Sequence, residues 1–194
     1  EGSIGKRIRS RQFGGPGRIA EAERLQNEVM EVVISDSNGG ISGVLSGAAR
    51  GNRFSMRLVR HCRGPAKSEA TETIDCDTIR VITATSNKGC IETTGRLKNR
   101  QDDSTLATYC FRYTLLRGSR TIRIDGQVAS TLSLGNHPWD DYFALRVAVE
   151  NEAALYRCLL RDKVHRSRTR RLVSPLGIII DDPLGKSDRA IDRQ

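Results

Sequence analysis

The residues best suited to chemistry crowd into one stretch, 135–146, which reads Gly-Asn-His-Pro-Trp-Asp-Asp-Tyr-Phe-Ala-Leu-Arg. It holds the only tryptophan, Trp139, with Tyr142 and Phe143 close behind, in a chain where aromatics are just 5% of residues. Beside them stand Asn136, His137, Asp140, Asp141 and Arg146. Indole and phenol faces stack on the C–H surface of a sugar, and forked polar groups take its hydroxyls. The stretch therefore reads as carbohydrate-contacting. Trp139 would be the stacking platform, Asn136 and Asp141 the hydroxyl acceptors, Tyr142 a mixed contact and Arg146 an orienting donor. Gly135 and Pro138 interrupt regular structure, so a structured loop at a sheet edge is expected. The competing reading makes Trp139 and Tyr142 a plug at one end of a β-sandwich core.

No catalytic residue is assigned from spacing. A glycosidase needs two carboxylates roughly 5–9.5 Å apart across the scissile bond. Asp140 and Asp141 are neighbours, which a strand would turn to opposite faces. The three histidines, His61, His137 and His165, are far apart and no metal-ligand spacing appears, so no metal or other cofactor is expected in this chain. No Gly-x-Ser-x-Gly elbow occurs. Gly14-Gly15-Pro16-Gly17 lacks the Lys-Ser/Thr of a phosphate loop and reads as linker. Cys62 beside His61 suggests a thiolate nucleophile only weakly, because strand neighbours face apart. Residues 87–96 put amide, hydroxyl and guanidinium groups along one strand, either as a cleft lining or as an exposed face rich in β-favouring threonines.

The chain has 194 residues and a formal net charge of +9. The positive excess gathers in Lys6, Arg7, Arg9, Arg11 and Arg18, and again at 161–171. Arginine alternating with Ser and Thr in the second run suits phosphates. The run lacks aromatics for base stacking, so nucleic acid is the weaker partner and a solvated run the commoner meaning. Five cysteines without a Cys-x-x-Cys pair favour free thiols in a reducing, cytoplasmic setting. No apolar run approaches the ~20 residues of a membrane helix, so no membrane partner is expected. The start at Glu1, with no signal peptide, suggests a fragment or processed product.

The elements that must position these groups are strands. Apolar residues alternate in 29–34, 53–61, 74–85, 90–97, 105–116 and 120–134, with Asn38-Gly39 and Arg117-Gly118-Ser119 as hairpin turns. A turn is also expected at Lys88-Gly89. Residues 143–150 and 153–160 read as a further hairpin, the second arm equally compatible with helix, and 172–180 as a last strand. Residues 19–25 read as a short helical turn. Recurring strands with turns between them specify an all-β sandwich. The expected division is linker or tail over 1–24, sandwich over 25–180 and a charged tail over 181–194, both tails disordered.

The same residues carry a resemblance. Asn27-Glu28 before a Val-rich strand, Asp36 and the Gly39-Gly40-Ile41 turn resemble the opening of the C-terminal β-sandwich region of family 38 glycoside hydrolases, the α-mannosidase-like enzymes. Asn52-Arg53 and Arg117-Gly118-Ser119-Arg120 fit the same order. Asn136, Pro138-Trp139, Tyr142, Ala144 and Arg146 resemble an Asn-Pro-Trp…Tyr…Arg segment of bacterial members, with His137 inserted and Val147 and Val149 where aromatics would follow. The resemblance spans 25–180. It implies an antiparallel, galactose-mutarotase-like supersandwich, incomplete because the family's sandwich runs past Ile180. It implies a non-catalytic share of a glycosidase: carbohydrate contact, and packing on the catalytic domain of the parent chain. Zinc and the nucleophilic Asp belong to that other domain. The alternatives are a basic nucleic-acid-binding β domain and a purely structural sandwich.

Overall fold

Period-two alternation builds most of the strands where it occurs. A computed structural model of the chain describes residues 17–46, 54–62, 72–130, 132, 140–148, 155–160, 163–166 and 178–181. In chain order the strands are β1 (Ala20–Glu21), β2 (Arg24–Gln26), β3 (Met30–Ile34), β4 (Ile41–Ser46), β5 (Ser55–Cys62), β6 (Glu72–Ala84), β7 (Lys88–Asn99), β8 (Thr105–Leu116), β9 (Ile122–Ser130), β10 (Asp141–Ala148), β11 (Leu155–Leu160), β12 (Lys163–Arg166) and β13 (Ile178–Asp181). The protein is all-β, as its pattern predicts, and its strands pair antiparallel. It divides into two compact units, 1–148 and 149–194.

The first unit is a sandwich of two sheets. One has the order β1-β2-β3-β4-β5-β10 and the other β6-β7-β8-β9. β8 shows why: Ala107, Tyr109, Phe111, Tyr113 and Leu115 are buried, while Thr108 and Arg112 face out. Leu25, Val32, Ile34, Ile41, Met56 and Leu58 meet them from the other sheet in one apolar cluster. Each such side chain contributes about 1.5–3 kcal/mol on burial.

Polar groups fasten the layers. Thr93 Oγ1 and the Tyr113 hydroxyl both donate to the Gly39 carbonyl, at 2.9 and 2.8 Å. The Tyr109 hydroxyl shares its proton between the carbonyls of Asn38 and Asp75. Burial lifts both phenols well above their ordinary pKa, so they stay donors. Gly39 has φ +63°, and a Cβ there would meet Tyr109 Oη at 2.5 Å. That turn tolerates only glycine, for both its backbone and its surroundings.

Several expectations are corrected. Residues 19–25 form the β1–β2 hairpin, not a helical turn. Ile19, Ala20 and Leu25 are buried, and Ile19 N–H donates to Thr85 O at 3.0 Å. So the range read as linker, 1–24, supplies core at its end. The turn placed at Lys88-Gly89 lies earlier, where Thr85 Oγ1 accepts from the N–H of Asn87 and Lys88. The expected hairpin of 143–150 with 153–160 does not form: β10 pairs with β5, and β11 with β12 and β13. The second unit is this three-stranded sheet, of order β12-β11-β13. Part of the basic run is thus strand β12, and the strand expected over 172–180 is present as Ile178–Asp181 among the described residues. Residues 1–16, 167–177 and 182–194 lie outside the described residues.

Candidate carbohydrate-binding site

The 135–146 stretch ends in a strand. β10 begins at Asp141 and runs beside β5 in unbroken register: Asp141 faces Cys62, Tyr142 His61, Phe143 Arg60, Ala144 Val59, Leu145 Leu58 and Arg146 Arg57. The loop expected over this part is therefore absent. The consequence for the site is large, because successive strand residues face opposite ways. Asp141 shares a face with Phe143 and Leu145. Tyr142 shares the other with Ala144 and Arg146. The strand separates groups that a loop would let converge.

On the Asp141 face the carboxylate is taken by Arg60. Arg60 Nε donates to Oδ1 at 2.7 Å and Nη2 to Oδ2 at 2.6 Å. Arg60 Nη1 also lies 3.6 Å from Glu72 Oε1 on β6, tying the two sheets together. The three side chains are only 17%, 12% and 8% exposed, for Arg60, Asp141 and Glu72. The Arg60 hydrogen bonds hold the Asp141 carboxyl below its ordinary pKa, while burial pushes Glu72 up despite the same guanidinium. Arg60 stands in the wall of a cleft of about 270 Å³, whose lining includes Asn38, Glu72, Asp75 and Arg100. The acids of this wall have bases: Glu72 has Arg60, and Asp75 has Lys98 at 3.1 Å.

The other face is a graded platform. At one end the Tyr142 and His61 rings meet, centroids 4.9 Å apart and tilted by 35°. In the middle lie Ala144 and Val59, and at the far end Arg146 and Arg57, both exposed. Aromatic faces, a flat apolar floor and guanidinium groups thus follow one another along two strands. This arrangement can stack on a sugar ring and donate to its oxygens. Asn136, His137 and Trp139 lie outside the described residues. His61 and Cys62 are spoken for by different faces of β5, the first beside Tyr142 and the second opposite Asp141.

The polar groups of residues 87–96 bond across neighbouring strands. Glu92, 5% exposed, takes Arg80 at 2.6 Å and Arg112 at 2.7 Å, and these bonds hold its carboxyl below the ordinary value. Thr94 bonds Thr78, and Arg96 grips Asp77.

Arg60, Glu72 and Arg57 belong to the neighbourhood of the site, yet sequence reading passed over them. One signal was present for Arg60. It continues the apolar stripe Met56, Leu58, and a charge on a buried stripe demands a partner. Among the described residues no group of three or more His, Cys, Asp or Glu is placed to hold a metal, and no helix is long and apolar enough to cross a membrane. No protein-family model matches the chain, and neither a curated protein nor a solved structure matches it.

Proposed function

We propose that this chain is a non-catalytic, carbohydrate-contacting β-sandwich of the galactose-mutarotase-like kind, a portion of a family 38 (α-mannosidase-like) glycoside hydrolase. The observation that carries the reading is the β5–β10 platform: the Tyr142–His61 ring pair on the same strand face as Arg146. The stacked antiparallel sheets agree with the architecture that the sequence resemblance implies. In this reading Trp139 stacks on the sugar, Asn136 takes a hydroxyl, Tyr142 makes a mixed contact and Arg146 orients the ring. Asp141 accepts a hydroxyl through lone pairs that Arg60 leaves over, since a carboxylate has about four acceptor sites. Its place on the opposite strand face makes it the weakest member of the set. Retaining hydrolysis through a glycosyl intermediate would belong to the catalytic domain, as would its zinc.

A purely structural sandwich is the second reading, favoured by the double occupation of Asp141 by Arg60. Titration of the 194-residue chain with methyl α-mannoside separates the two. The proposal expects saturable binding by calorimetry, weakened tenfold or more by Trp139→Ala with amide chemical-shift dispersion retained. Unchanged binding by Trp139→Ala would remove the assignment, and absence of any sugar response would favour the structural reading. The nucleic-acid alternative instead requires oligonucleotide binding that falls steeply with salt and depends on Arg166, Arg168, Arg170 and Arg171.

A further inference from the structure

A cleft of about 270 Å³ opens between β5 and β6. β4 meets β5 only where Ile41 faces Met56, so beyond that point one edge of β5 has no strand beside it among the described residues. β6 stands at the outside of its own sheet, and Cys76 N–H donates to Ser37 O at 3.0 Å. The cleft therefore lies where both sheets leave strand edges uncovered, with backbone N–H groups to offer. Leu58, Ile74 and Leu97 line it and belong to the core or pack on it, so it reaches down to apolar side chains. Three arginines line it too, Arg57 and Arg60 from β5 and Arg100 from the β7–β8 turn. The charges divide unevenly. The lining acids Glu72 and Asp75 are taken by Arg60 and Lys98. Arg57 and Arg100 enter no ion pair among the described residues. The charge left over at the cleft is positive.

We propose that this cleft binds a phosphorylated monosaccharide, its phosphate held by Arg57 and Arg100 and its ring lying against the apolar wall. The ring rests on the carbohydrate reading above; the phosphate rests on the cleft and needs neither Tyr142 nor Trp139. A carboxylate offers two oxygens in one plane, which suits a single guanidinium fork. A phosphate carries close to two charges and three acceptor oxygens that point different ways. It can therefore take donors arriving from β5, from the β7–β8 turn and from the uncovered strand edges. Pockets for drug-sized ligands run to ~300–1,000 Å³, and a cleft of about 270 Å³ admits one small ring rather than a chain of sugars.

The test uses the full 194-residue chain and five probes: glucose 6-phosphate, glucose, glucuronate, inorganic phosphate and methyl α-mannoside. Binding is followed by calorimetry at low and at physiological salt, in the unaltered chain, in Arg100→Gln and in Arg57→Gln. Arg123→Gln, on an exposed arginine that pairs with Asp125, serves as control. Glucose 6-phosphate is expected to bind about tenfold or more tighter than glucose, glucuronate or inorganic phosphate, and to weaken with salt. Each guanidinium supplies charged hydrogen bonds, so Arg100→Gln and Arg57→Gln should each weaken it about tenfold or more, whereas Arg123→Gln should not. Arg100→Gln should leave methyl α-mannoside binding and the urea midpoint unchanged, which separates the cleft from the platform. If mannoside binds and glucose 6-phosphate binds no better than glucose, the cleft inference falls while the carbohydrate reading stands. If glucose 6-phosphate binds as expected and mannoside does not, the cleft stands and the platform loses its ligand. Glucuronate or inorganic phosphate binding as tightly as glucose 6-phosphate, or binding that survives both arginine substitutions, would overturn the inference.

Discussion

Replacing Arg60 by alanine isolates the interaction that anchors β10 to β5 and ties β5 to β6. The substitution removes two short charged hydrogen bonds to Asp141 and the longer contact to Glu72. Both carboxyls stay where only 12% and 8% of each side chain meets water. Breaking a buried pair from one side leaves an uncompensated charge, which costs about 3–5 kcal/mol. Two carboxylates are orphaned, but the Glu72 contact at 3.6 Å is long and burial already favours its neutral form. The expected loss at pH 7 is therefore about 3–5 kcal/mol, not twice that. The pH dependence follows from the signs. In the unaltered protein the Asp141 pKa lies below its ordinary 3.8. Its stabilisation is present above 3.8 and is lost as pH falls through the folded value. Without Arg60, burial raises both acids above their ordinary values, so their cost is full at neutral pH and fades as they protonate. The stability gap between the two proteins is then widest near pH 7 and narrows as pH falls, closing only below the folded Asp141 value. Urea unfolding at pH 7, 5.5 and 4, followed by Trp139 fluorescence and circular dichroism, measures it. A gap under about 1 kcal/mol at pH 7, the scale of an exposed pair, or one constant with pH, would refute the reasoning.

Two further substitutions test how the sandwich is held. Asn27 is fully buried; its amide donates to Leu116 O and Ser119 O, and its oxygen accepts from the N–H of Val29 and Met30. Asn27→Ala leaves buried backbone groups unpaired at both ends of that bridge and should cost about 2–4 kcal/mol in urea unfolding, at roughly 1 kcal/mol per lost bond. Ala22 sits at φ +47° in the β1–β2 turn, where an L side chain is strained by about 1–2 kcal/mol. Ala22→Gly should leave the urea midpoint unchanged or raise it slightly, whereas a loss above 1 kcal/mol would mean that the Ala22 methyl packs in the fold.

Much of the architecture is legible in the residues. β8 reads in and out without a break from Leu106 to Leu116, and Asn38-Gly39 announces the turn that Thr93 and Tyr113 hold. Such features are local, decided by side-chain alternation and by the backbone freedom of glycine. Misreadings fall where local pattern is short. Ile19, Ala20 and Leu25 span too few residues to show a period, and a backbone bond to Thr85 settles their form as a hairpin. Asp141 and Tyr142 look irregular because Gly135 and Pro138 precede them, yet pairing with β5 starts the strand at Asp141, two residues ahead of the expected 143–150 run.

For the candidate site the division is sharper. The chain by itself chose which groups were available: an aromatic and polar cluster in a sheet-forming polypeptide, with charge excess placed towards its ends. It could not choose which of them share a face. Asp141 meets Arg60 across 81 residues of sequence, and Arg57 comes to lie against Arg146 across 89. Those meetings depend on the register of β5 with β10, and register depends on how whole strands bury their apolar sides. One residue of slip would put Asp141 beside Tyr142's neighbours and turn Arg146 inward. Only the assembled sheets, where every inward position must be filled at once, exclude it.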